Sequence, residues 1–384
     1  MSRARGVSRL RLVVMPALGL WMLAFHGGDL AAQSARERFT LGGDSVALYN
    51  LVGELTVEPG TGSEVVVEVM RGGADASQLR VETGTRSGIQ NLRVIYPGDR
   101  VVYPPMGRGS RSSVEVAPDG TFGGDKGMGW LAAKRKVTVA GSGSGVEAWA
   151  NVRVTVPRGR KVHLEWVAGV TRIGAVEGEI VADNSSGTIE VRGLRGKLSV
   201  DTGSGEVMVK DAQGDFSIDT GSGSVTLENI RGGLMNLDTG SGEVRASDVT
   251  ADRLVADTGT GGISLDEVHC PVVVLDTGSG RVELDLSSDV EKVEVDTGSG
   301  GVTMTVPAKL GAEFDLETGS GSIDVDVPHE SISVERDRVR GRLGNGQGRI
   351  HVDTGSGGVR MMRRSTTSER SGTVLGGQLL PEVG

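Results

Sequence analysis

The sequence predicts an all-β chain folded as a single-stranded β-solenoid (β-helix) of about ten or more coils. Three observations predict it. The pentapeptide Asp-Thr-Gly-Ser-Gly begins at Asp201, Asp219, Asp238, Asp276, Asp296 and Asp353, with variants at Asp257 (Asp-Thr-Gly-Thr-Gly) and Glu317 (Glu-Thr-Gly-Ser-Gly). With Asp183 as a further corner, successive steps are 18, 18, 19, 19, 19, 20, 21 and 36 residues. Glycine, at 62 of 384 residues, far exceeds its usual ~7% share, while aromatics are only 3%.

Taken in order, residues 1–32 read as an export signal. Arg3, Arg5, Arg9 and Arg11 precede an apolar run at 12–25, and Leu30-Ala31-Ala32 offers a cleavage site. The run is short for a membrane span, and no second run of ~20 apolar residues follows, so the mature chain carries no predicted span. Residues 33–160 form an N-terminal β-strand region, with strands at 46–57, 64–69, 79–82 and 92–96. Its period is lost at 97–135, where Pro97, Pro104, Pro105 and Pro118 stand among many Gly and Ser. That stretch reads as a long mobile insertion with one short strand near 114–116.

Regular repeats occupy 161–362, and 363–384 read as a disordered tail. Within a coil, apolar residues stand three and one before the Asp (Leu198 and Val200, Met235 and Leu237, Val293 and Val295). Others stand six and eight after it (Val207 and Val209, Ile263 and Leu265, Val302 and Met304). Alternation of this kind means strands with one buried face. The inward parity flips at each Gly-rich corner, so the chain closes into coils of two or three short sides. One coil cannot bury its apolar face alone, whereas neighbours above and below can cover it. The 36-residue gap before Asp353 reads as two steps of 18, with one degenerate coil centred on Glu335.

Charge and cysteine content exclude several classes. Losing residues 1–32 removes four Arg and one Asp, leaving 37 basic and 49 acidic residues, net −12. Nucleic acid, which needs a basic face, is therefore not an expected partner. Cys270 is the only cysteine, so no intrachain disulfide forms, and it reads as a structural thiol.

The pentapeptide itself resembles an aspartic-peptidase loop, but such enzymes set two Asp-Thr-Gly loops face to face so that two carboxylates share a proton. Corners 18–21 residues apart instead place the Asp side chains along one edge. One acidic group per corner is also too few for a calcium shell of six or more oxygens from one loop. The remaining histidines (His163, His269, His329 and His351) lack metal-ligand spacing. The corner reads as a structural turn in which Asp accepts backbone N–H bonds and the glycines adopt positive φ. No catalytic, cofactor-binding or metal-binding residue is assigned.

Val154-Thr155-Val156-Pro157-Arg158-Gly159, followed by repeated Thr-Gly-Ser-Gly coils, resembles the bacterial putative-adhesin β-strand repeat family. So does Val306-Pro307-Ala308-Lys309-Leu310-Gly311 leading to the corner at Glu317. The family is a domain of unknown function in exported and membrane-linked proteins, and the resemblance implies a β-solenoid. The expectation is an exported, non-enzymatic adhesin or envelope scaffold, periplasmic or at the cell surface, with an envelope, surface or carbohydrate partner. The alternatives are an aspartic peptidase-like enzyme and a calcium-stabilised repeat protein.

Overall fold

A chain with alternating apolar residues and a corner every 18–21 positions can satisfy its backbone only by pairing each coil with the next. The computed structural model describes residues 36–123 and 134–364, and there the chain does so. Strand Arg195–Ser204 supplies one side of a coil, with Leu198, Val200 and Thr202 buried. After the corner at 201–205, strand Val207–Thr220 begins the second side with Val207 and Val209 buried. Asp211, at φ 53°, kinks that strand so that Ala212 also turns inward, and Gly214, at φ 139°, returns the chain to the first side. The next coil repeats this 18 residues on, pairing Leu198 with Phe216 and Val207 with Val225 in parallel register.

Parallel stacking continues in the same sense along both sides. The first side runs through Leu234–Thr239, Arg253–Thr258, Val272–Thr277 and Lys292–Thr297. The second runs through Val225–Arg231, Val244–Thr250, Ile263–His269, Val282–Leu286 and Val302–Val306. Val, Ile, Leu, Met and Phe fill the interior, each contributing about 1.5–3 kcal/mol on full burial. Cys270 is buried among them, donates to the Val272 carbonyl at 3.1 Å, and burial pushes its thiol pKa up. It stands in the short connection between Ile263–His269 and Val272–Thr277 rather than in a strand, and its burial agrees with a structural thiol.

Antiparallel strands close both ends. At the N-terminal end the first coil, Ser45–Val52 with Leu55–Gly60, stacks on Arg160–Ala168 and Thr171–Ile173, and the excursion between residues 60 and 160 adds one more parallel rung, Ile89–Ile95 on Ser45–Val52 and Trp149–Pro157 on Leu55–Gly60. The excursion lays Val65–Gly72 antiparallel on Trp149–Pro157, and pairs Arg80–Arg86 antiparallel with Ile89–Ile95. Buried Tyr96 donates to the Asn50 Oδ1 atom at 2.7 Å, and Asn50 donates to the Ala150 carbonyl at 2.8 Å, tying these strands together. The stretch 97–135, expected as a mobile insertion, carries Arg100–Val102 and Arg111–Val116, which join Arg135–Ala140 and Val146–Glu147 beyond it in a separate four-stranded sheet, while its residues 124–133 lie outside the described residues. Strands of two to six residues punctuated by Pro and Gly are too short to display a period. The expected export signal at 1–32 and residues 365–384 of the expected tail lie outside the described residues.

The C-terminal end departs from the expected order. The degenerate coil at Glu335 does not exist. Strands Glu330–Val334 and Arg338–Leu343 instead form an antiparallel hairpin with Glu335 in its turn, and the hairpin lies on the edge of Ala312–Thr318. The coil of Asp353 slots back between two earlier ones. Gly348–Thr354 pairs with Lys292–Thr297 on one edge and Ala312–Thr318 on the other, and Val359–Arg363 sits likewise between Val302–Val306 and Ile323–Asp326. A hairpin covers a strand edge that one more parallel coil would leave open. Ending the chain after Leu343 removes the intercalated coil, which leaves Ala312–Thr318 paired with the hairpin alone and Ile323–Asp326 without its ladder, so nothing ties this end to the preceding coils. Hydrogen exchange over residues 312–343 should then rise to near the unstructured rate while residues 195–277 keep their protection, which mass spectrometry can read directly.

Candidate functional site: the stacked corner

The corner pentapeptide begins where alternation dictates. Val200 points inward, so Asp201 points outward and Thr202 inward again, and every later coil repeats the order. Asp183, Asp201, Asp219, Asp238, Asp257, Asp276, Asp296, Asp353 and Glu317 therefore stand in one row, each opposite the next in register. Neighbouring rungs are ~4.8 Å apart. Burial first, then the neighbouring carboxylates, raise the pKa values of Asp183, Asp201, Asp238, Asp257 and Asp296.

The turn-holding side chain is threonine, not aspartate. In the coil of Asp257, Thr258 is 1% exposed; its Oγ1 accepts from the Gly261 N–H at 3.0 Å and donates to the Gly242 carbonyl of the preceding coil at 3.1 Å. The same pair of bonds recurs at Thr220, Thr239, Thr277, Thr297, Thr318 and Thr354. The expectation of an Asp-held turn fails because Asp faces solvent, and the inward parity already visible at the preceding residue carries that signal. The glycines differ from expectation too. None of those from 203 onward in these pentapeptides has a positive φ, and their requirement is close approach. A Cβ at Gly261 would stand 1.6 Å from the Gly242 carbonyl oxygen, and one at Gly223 would stand 1.7 Å from that of Gly205.

Among the described residues, one set of potential metal ligands converges: Asp315, Glu317 and His351, with donor atoms within 4.8 Å of one another. Arg338 of the hairpin already occupies it, bonding Asp315 through Nε at 2.8 Å and Glu317 through a terminal nitrogen at 3.0 Å. The guanidinium supplies the positive charge there and closes the end of the acidic row. Nothing about the row pairs two carboxylates across a cleft.

A stack of parallel coils held by a Thr-Gly corner defines a β-solenoid repeat protein. The chain belongs to the Toastrack family (DUF4097), whose model matches residues 134–361, in keeping with the resemblance in the repeats. A solved structure of a putative cell adhesion protein from Clostridium sporogenes is 11% identical over 86% of this chain and 99% of that one, with a TM-score of 0.16. Comparison with the curated proteins finds no match. No helix among the described residues is long and apolar enough to cross a membrane.

Two outcomes follow from the corner. Thr258→Val leaves the Gly261 N–H and the Gly242 carbonyl without their partner and should cost about 1–3 kcal/mol in denaturant unfolding. Thr258→Ser, which keeps the hydroxyl, should cost much less. The second concerns pH. A carboxylate with a folded-state pKa above its unfolded value opposes folding at neutral pH, and that opposition fades as pH falls through the raised value toward ~4. Asp257→Asn should therefore melt at a higher temperature than the parent at pH 7, with the difference shrinking as pH falls and vanishing below about pH 4, as calorimetry can check.

Proposed function

We propose that this chain is an exported, non-enzymatic repeat protein that binds or scaffolds at the bacterial envelope or cell surface. The single-file row of corner carboxylates carries the reading. Aspartic peptidases work with two carboxylates facing each other and sharing one proton in a covered cleft, and here each Asp neighbours only its counterparts along one edge. The corner Thr hydroxyls are buried, and from Thr220 onward they are taken up in corner hydrogen bonds, which leaves them no room to act on a substrate. Export rests on the basic, then apolar, residues 1–32.

The experiment expresses the whole chain in a Gram-negative bacterium and fractionates the cells. The expected result is a protein shortened near residue 32 outside the cytoplasm, which sediments saturably with isolated envelopes and cleaves no casein between pH 3 and 7. Retention in the cytoplasm at full length contradicts export. Peptidase activity that is blocked by pepstatin and abolished in Asp201→Asn contradicts the non-enzymatic reading.

A further inference from the structure

Resting on the binding reading above, we propose that the corner ridge and the cleft at its N-terminal end bind a linear, uncharged glycan. The cleft, of about 530 Å3, lies where residues of the inserted sheet region overhang the first corners. That volume falls within the ~300–1,000 Å3 of small-ligand sites. One wall is apolar, from Tyr103 and Met106. The other carries the hydroxyls of Ser186 and Ser204, with Glu54 and Arg111 also lining the cleft. Arg111 is exposed and makes no ion pair among the described residues, so its N–H groups are open to a ligand. Tyr103 packs on Trp149 with ring centroids 5.9 Å apart.

The chemistry of the ligand follows from what continues out of the cleft. Ser186 and Ser204 hold the fourth corner position and are in register, one rung apart. The same position in later coils is Ser222, Ser241, Thr260, Ser279 and Ser299, all exposed. The ridge is thus a column of hydroxyls, one every ~4.8 Å, beside the column of Asp carboxylates, which accept hydrogen bonds. A polymer bearing hydroxyls at a regular short repeat meets both columns, and a sugar ring's apolar face suits Met106. An extended peptide would instead want a free strand edge, and the backbone of these strands is taken up by the parallel ladders on both sides. The row of carboxylates disfavours a polyanion.

The test titrates the mature chain with chitotetraose and cellotetraose, and in parallel with tetragalacturonate and tetra-alanine. Tryptophan fluorescence is the readout, because Trp149 lies behind Tyr103. A saturable change with a neutral tetrasaccharide is expected, weakened at least about tenfold in the Met106→Ala/Arg111→Ala variant at unchanged melting temperature, a loss of about 1.4 kcal/mol. Should that variant unfold, Arg111→Glu at an exposed position replaces it with the same expected loss. The proposal is overturned by no saturation with either neutral sugar, by binding of the galacturonate or the peptide alone, or by neutral-sugar binding that the variants leave intact. If the protein sediments with envelopes yet binds neither neutral sugar, this site fails while the wider binding reading stands. If it does neither, both fail.

Discussion

At the fifth position of each corner, glycine lies against the glycine of the next coil with no space between the two backbones. A Cβ on Gly205, Gly223, Gly242, Gly261, Gly280 or Gly300 would stand between 1.6 and 2.0 Å from a carbonyl oxygen of its neighbour. This contact sets how closely corners stack, and so lets the strands on either side reach ladder distance. It also brings the preceding glycine carbonyl within reach of the Thr hydroxyl, which bridges the coils from inside. Thr and Gly are thus required together. A larger residue at the fifth position pushes the corners apart, and a Thr without that close carbonyl is a buried hydroxyl lacking an acceptor.

The same geometry drives the carboxylates outward. Once Thr faces in, Asp must face solvent in every coil, and identical coils place identical charges one above another. Burial first, and this repulsion after it, raise the carboxylate pKa values along the row. At the C-terminal end Arg338 neutralises the last position, Glu317, together with Asp315 beside it. The hairpin that carries Arg338 also covers the final strand edge of the first side, so one element ends both the ladder of backbone bonds and the ladder of charge.

The coil was legible because its inward residues repeat: Leu198, Phe216, Met235 and Leu254 are all buried where alternation puts them. The role of the corner as a turn was legible, but the side chain that holds it was misread. The parity that places Val200 inside also places Thr202 inside and Asp201 outside. The intercalated coil at 348–363 could not be read from spacing, because every coil presents the same pattern to every other. Only the pairing of Val352 with both Val295 and Leu316 reveals which neighbours it takes. The cleft was hidden for a similar reason, since Glu54, Tyr103, Arg111 and Ser186 come from separate segments that no local motif connects.

The most direct test of this account compares the unfolding free energies of Gly261→Ala and Asp257→Ala in one denaturant series. If backbone contact at the corner governs the stack, adding one methyl at Gly261 costs about 3 kcal/mol or more, since backbone must shift to accommodate it. Removing the Asp257 carboxylate should then leave stability unchanged or higher at pH 7. A Gly261→Ala protein as stable as the parent, beside an Asp257→Ala protein that unfolds, would contradict the account and return the corner's role to its aspartate.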